Sequence, residues 1–220
     1  MELILIFLAF ILAVFMGWLL KQSFNTQPWV AEAVDEHAHQ APLGANAKAV
    51  ALTVLLAVIT SFFALMMSAY SERMELGDWV PLGEPTLLWL NTGMLVLASV
   101  AFQWTRNAAV DGIRGRVIPG MFLSGTLTIA FIAGQLAAWK TLTDAGQGVA
   151  GSPANGFFYL MTGAHALHIL GGLYVWARAL VRLLTGREPA SVRQSIELCT
   201  VYWHFLLVVW LVMFGLLLST

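Results

Sequence analysis

The chain has 220 residues, 59% hydrophobic and only 10% charged, with a net charge of −1. A soluble globular domain carries about 25% charged residues, so that class is excluded, and the basic residues form no continuous patch that would suit nucleic acid. The single cysteine, Cys199, excludes an internal disulfide and a multi-cysteine metal site; inside an apolar span it reads as a small core residue.

A bilayer core of about 30 Å needs about 20 apolar residues of helix. Six stretches qualify, and the fold class that follows is all-α: a polytopic membrane helix bundle with six transmembrane helices. The first span, residues 3–20, has neither a basic start nor a small-residue cleavage site, and is expected to stay as a membrane helix. The polar segment 21–46 follows. Pro28 and Trp29 suit an interfacial turn, and Glu32, Asp35, Glu36, His37 and His39 read as a solvated loop rather than a metal site. The second span covers residues 47–70. Pro81 and Pro85 set an extended turn and a sharp start to the third, 86–104. The fourth is 119–139, the fifth 157–183 and the sixth 192–218. Residues 140–155, rich in Gly, Ala, Ser and Asp, are expected to form a flexible exposed turn. Trp18, Trp79, Trp104, Trp139 and Trp176 lie near span ends, as interfacial anchors do. No internal repeat is evident, which argues against an inverted-repeat transporter.

Lysine and arginine mark the cytoplasmic side of membrane proteins. Lys21, Lys48, Arg106, Arg114, Arg116, Arg178, Arg182, Arg187 and Arg193 flank the odd-numbered loops; only Arg73 and Lys140 flank the even-numbered ones. Nine against two places both termini outside, which requires an even number of spans and so supports counting the first helix.

Few ionisable side chains lie within membrane-length spans, and four of them are His165, His168, Glu197 and His204. A charge at mid-bilayer costs about 2.5–3.5 kcal/mol on insertion scales, so such groups face a partner or a cavity. His168 lies about eleven residues into the fifth span and His204 about twelve into the sixth, both near mid-membrane at 1.5 Å per residue. His165 and His168 share a helix face, as do Glu197 and His204. Glu197 is then about 10 Å inward of mid-membrane and Arg178 about 15 Å, so the two are expected to pair. The histidines themselves leave several roles open. These are a hydrogen-bonded network locking two helices, heme ligation, a metal site or proton transfer.

The run Phe157-Phe-Tyr-Leu-Met-Thr-Gly163-Ala-His165-Ala-Leu-His168-Ile-Leu-Gly171-Gly172 resembles subunit III of the heme–copper terminal oxidases. So do Glu197-Leu-Cys-Thr-Val-Tyr202-Trp203-His204-Phe205 with Val208-Val209-Trp210, Leu88-Trp89-Leu-Asn91-Thr92, and Phe131-Ile-Ala-Gly134-Gln135-Leu-Ala-Ala-Trp139. The resemblance covers residues 46–218. It divides the chain into an extra N-terminal transmembrane helix with a cytoplasmic loop, 1–45, and a five-helix core, 46–220.

The resemblance implies a subunit without a redox metal or other cofactor of its own, the hemes and copper lying in subunits I and II. It implies packing beside subunit I, structural phospholipid in a cleft between helices, protection of the complex during turnover and support of proton uptake. His168, Glu197 and His204 match inter-helix polar positions of the family, and Arg182 matches a contact to a phospholipid head group. With His165, Arg178, Tyr202 and Trp203 they make up the expected lipid-binding or inter-helix polar network. The chain departs from the family at Leu207, where an aspartate is usual, at Ile59, where a carboxylate is usual, and in its single extra N-terminal helix. The implied protein is a multi-pass subunit of a cytochrome c oxidase in a bacterial cell membrane, with subunits I and II as partners. A quinol oxidase subunit, an accessory protein of nitric oxide reductase, and a stand-alone heme protein using His168 and His204 are the alternatives.

Overall fold

Apolar runs of this length fold as long helices because helix is the form that satisfies every backbone polar group without water. The computed structural model describes residues 43–219 apart from 82, 84, 85, 187 and 188. Within that range lie five helices: α1 (Leu43–Met74), α2 (Leu87–Val110), α3 (Arg114–Asp144), α4 (Pro153–Leu184) and α5 (Pro189–Leu218). Each contains a segment long and apolar enough to cross a membrane. The predicted first span and the loop carrying Pro28, Trp29 and the acidic–histidine group lie outside the described residues.

The chain divides after Leu55 into two compact units. The described part of the first, 43–55, is the opening of α1. In the second, short connections make α2 to α5 run up and down in turn, and α2 packs on α3, α3 on α4, α4 on α5 and α5 on α2. The four therefore close into a ring. The part of α1 in this unit adds to it through aromatic side chains: Phe63 lies 6.3 Å from the His165 ring and 5.5 Å from that of His168, and Tyr70 5.6 Å from Phe157.

Several boundaries differ from expectation for identifiable reasons. Helix α3 begins at Arg114 and carries Pro119 inside it, since a proline this near the start withdraws a single backbone hydrogen bond. Helices α2 and α3 are followed by Gly112 and Gly146 at φ 71° and 79°, a left-handed turn that glycine adopts without strain. The Gly- and Ser-rich connection before α4 is also tied down rather than loose. Ser152 caps α4 by accepting the Asn155 amide at 3.2 Å, with Pro153 at the first helical position. The buried Asn155 side chain donates to the Gly148 carbonyl at 3.1 Å, and the Tyr159 hydroxyl to that of Gln147 at 3.2 Å.

The turn after α1 is closed by a bidentate pair between Arg73 and Asp78. The guanidinium holds the Asp78 carboxyl below the ordinary carboxylate value of 3.8. A depressed folded value means the pair stabilises the turn fully above that pH and loses its effect as pH falls through the lower value. Asp78→Asn is thus expected to lower the thermal midpoint at neutral pH. In parallel acid melts the gap to the parent should close as pH drops below about 3.8, the unfolded carboxylate value.

Candidate functional site

The polar side chains of the spans meet between helices rather than in one pocket, and the commonest device is an indole donating to a threonine. Trp210 of α5 donates to Thr92 of α2 at 2.9 Å, Trp203 of α5 to Thr128 of α3 at 3.1 Å, and Trp139 of α3 to Thr162 of α4 at 3.0 Å. A hydroxyl has one proton and two lone pairs. Each threonine gives its proton to the carbonyl four residues back: Leu88, Ser124 and Phe158 respectively. Its oxygen is then left to accept the indole. Such inter-helix bonds contribute about 0.6 kcal/mol each in membrane proteins and up to about 1.7.

Two more contacts run to backbone. Trp176 donates to the Met121 carbonyl at 3.0 Å, and the Tyr202 hydroxyl to that of His168 at 3.0 Å. The tryptophans expected as interfacial anchors, Trp139 and Trp176, thus also join helices. At the end where α4 finishes, Arg114 of α3 donates to the Leu183 carbonyl at 2.8 Å, satisfying one of the acceptors a helix end leaves open.

The three span histidines differ in their surroundings, although His165 and His168 share Phe63. His165 is fully buried among Trp210 at 5.3 Å, Phe131 at 6.0 Å and Phe63 at 6.3 Å between ring centres. His168 donates from Nδ1 to the Ala164 carbonyl at 2.7 Å, with its ring beside Phe62 and Phe63. His204 meets α2: Nδ1 is hydrogen-bonded to Ser99, and Nε2 to the Gln103 carbonyl oxygen at 3.1 Å. With the Gln103 oxygen facing the ring as acceptor, Nε2 carries the proton and Nδ1 accepts from the Ser99 hydroxyl. The chain continues from Gln103 Nε2 to Asn107 Oδ1 at 3.1 Å. Ser99→Ala is expected to leave Nδ1 without its donor and to shift its ¹⁵N resonance towards that of a free imidazole nitrogen, with a cost of about 1 kcal/mol. Solid-state NMR of histidine-labelled protein reads that shift.

Heme ligation by His168 and His204 together has no geometric support. One ring lies against α1 and hydrogen-bonds its own helix; the other has both nitrogens engaged by α2. Among the described residues no group of three or more His, Cys, Asp or Glu is placed to hold a metal ion.

The expected partner of Glu197 is corrected. Its carboxylate pairs with Arg193 on the same helix at 2.9 Å, not with Arg178. Spacing of four residues on one helix brings charges together without any inter-helix alignment, which outweighs a match in depth. Arg178 and Arg182 lie exposed on α4, neither with an ion-pair partner among the described residues. Trp203 is fully buried and Tyr202 nearly so. Cys199 is buried and free, as expected. Ile59 is buried at 2% exposure, so its apolar side chain suits its surroundings.

The sequence reading assigned no role to Thr92, Ser99, Gln103, Thr128 or Thr162. Their signal was present as lone polar residues in apolar spans, but a threonine that satisfies itself on its own helix leaves its second function invisible in sequence.

Fold and site together define a polytopic helical membrane protein whose polar side chains tie its own helices to one another. A family model described as "Cytochrome c oxidase subunit III" matches residues 3–218. The chain belongs to that family, one of non-catalytic membrane-spanning subunits of the respiratory-chain oxidase.

Among curated relatives, a cytochrome c oxidase subunit 3 from Patiria pectinifera is 29% identical over 195 residues, 84% of this chain and 74% of that protein. One from Paracentrotus lividus is 31% identical over 159 residues, 70% of this chain and 60% of its own. A protein named "Probable cytochrome c oxidase subunit 3" from Nocardia farcinica is 29% identical over 161 residues, 70% of this chain and 78% of that one. The chain thus spans less than two thirds of the Paracentrotus relative it matches.

Proposed function

We propose that the chain is the non-catalytic subunit III of a bacterial cytochrome c oxidase. It packs on the catalytic subunit I, with subunit II as a further partner, holds phospholipid, stabilises the complex and supports proton uptake during oxygen reduction. The match of the family model over residues 3–218 carries the reading. The hemes and copper belong to the partner subunits. The α2–α3 and α4–α5 connections face the cytoplasm and both termini face outward, on the strength of the charge bias. Residues 1–45 supply a sixth span and a cytoplasmic loop ahead of the five-helix core.

Phospholipid binding is supported by the exposed face of α4. Leu170, Tyr174, Arg178 and Arg182 recur every four residues, which places them in one stripe. Leucine and tyrosine offer an acyl chain an apolar surface, and the two guanidinium groups near the helix end suit a phosphate. Tyr202, Trp203 and His204 serve hydrogen bonds between helices, His165 and His168 pack against aromatic rings of neighbouring helices, and Glu197 pairs within its own helix.

The test is a mild-detergent pull-down on this chain with an optical spectrum, mass spectrometry and lipid analysis of the product. A heme–copper catalytic subunit carrying all the heme, with bound anionic phospholipid, is the expected result. A nitric oxide reductase or quinol oxidase core in its place would move the subunit to that complex. A lone 24.0 kDa chain with its own Soret band would overturn the reading.

A further inference from the structure

Asn91 of α2, Gln135 of α3 and His165 of α4 are buried polar side chains of the spans without a hydrogen bond. Their exposures are 0%, 2% and 0%, and both amide atoms of each amide and both ring nitrogens of His165 are without a hydrogen-bond partner. The three belong to one region. The Asn91 amide rests against Gly134, where an added Cβ would stand 2.0 Å from Oδ1, and Gln135 is the next residue. Phe131, one turn before Gln135, lies 6.0 Å from the His165 ring. Trp210 lies 5.3 Å from His165 and donates to Thr92, the neighbour of Asn91.

A buried polar atom left unpaired costs about 1–3 kcal/mol. Six of them would consume most or all of a net folding stability of about 5–15 kcal/mol. The atoms must therefore find partners, and direct pairing is not what the side chains adopt. The group holds no carboxylate, so it does not suit a metal cation. It presents amide donors, amide acceptors and an imidazole that supplies one of each, the mixture that water satisfies. A buried water makes about three hydrogen bonds, so six atoms match about two molecules.

We propose that Asn91, Gln135 and His165 form a binding site for a small cluster of ordered water inside the ring of α2, α3, α4 and α5. The site lies towards the end at which α2 and α4 begin, and it gives the bundle a hydrated polar centre enclosed by Phe131 and Trp210.

Water-edited solid-state NMR of the full ¹⁵N-labelled chain in lipid bilayers tests the proposal. Magnetisation from water is expected to reach the Asn91 and Gln135 side-chain amides and a His165 ring nitrogen. The buried indole nitrogen of Trp203, bonded to Thr128, should stay dark at the same mixing time. Gln135→Met, of similar length and without polar atoms, is expected to remove the transfer to His165 while the Trp203 indole resonance keeps its position and so reports an intact bundle. Equal darkness of all three side chains in the parent protein would overturn the proposal, as would through-space contacts showing Asn91 and Gln135 bonded directly to each other. Unchanged transfer to His165 in Gln135→Met would overturn the shared site. If the Trp203 resonance moves as well, Gln135→Glu, which keeps the length and an acceptor, is the second variant, and loss of water transfer to His165 there would count against the site.

Discussion

Gly125→Ala is expected to cost about 2–4 kcal/mol, from overpacking at about 1–3 and a lost inter-helix hydrogen bond at about 1. A Cβ at this position would stand 2.1 Å from Cζ2 of Trp176, 2.5 Å from Cη2 and 2.7 Å from Cε2. These atoms form the edge of a rigid bicyclic ring, and no rotation of a side-chain tip relieves the clash. The same edge of the indole is also held, since Nε1, bonded to Cε2, donates to the carbonyl of Met121, one turn before Gly125. To withdraw, Trp176 must break that bond and leave the cluster of Ala108, Ala109, Val117, Met121, Ala179, Leu180, Leu183, Val192 and Ile196 against which it packs. Unfolding titrations of the parent and Gly125→Ala in mixed micelles measure the cost. Trp176→Phe, which replaces the indole by a smaller ring, should recover part of the loss when combined with Gly125→Ala. A cost within about 0.5 kcal/mol, the range of an ordinary surface substitution, would mean that α3 and α4 do not approach so closely.

The five described spans and their order were legible because they rest on long apolar runs. The helix ends were less so. Nothing in the hydropathy of residues 105–118 separates the last turns of α2 from the first turns of α3; Gly112 and the capping geometry around it do that, and they act on backbone angles. The candidate site was legible in its residues and not in its pairings. Depth along a helix is readable from sequence, but rotation about the helix axis is set by packing. Glu197 and Arg178 match in depth, yet Arg193 on the same helix takes the carboxylate. His168 and His204 match in depth as well, yet each is turned towards a different neighbour, α1 in one case and α2 in the other. Asn91 and Gln135 carried no readable role, because the missing partner of a buried amide becomes evident only once burial is known.

Trp203→Ala is expected to destabilise the bundle by about 3–4 kcal/mol, and the reasoning depends on the solvent. In water most of such a loss is the transfer of apolar surface, but lipid is as apolar as the core, and that part largely cancels. What remains is the hole. Trp203 is fully buried, and its ring reaches each of the other three helices of the ring: Phe102 of α2 at 4.3 Å, Thr128 of α3 through the indole nitrogen at 3.1 Å, and the Gly172 backbone of α4, where an added Cβ would touch it at 2.8 Å. A void on the order of 100 Å³ at about 24 cal/mol per Å³ costs about 2.4 kcal/mol. The lost indole–threonine bond adds about 0.6–1.7 kcal/mol. Trp203→Phe keeps most of the ring, leaves a smaller hole and loses the bond, so it should fall between parent and alanine. Thr128→Ala removes the acceptor from the other side and is expected to be costly only while the indole is present. A double-mutant cycle between Trp203→Phe and Thr128→Ala, read by unfolding titration, separates bond from hole. Coupling of about 0.6–1.7 kcal/mol would show that the bond acts as drawn. Equal costs of Thr128→Ala in both backgrounds would assign the whole effect of Trp203 to its volume.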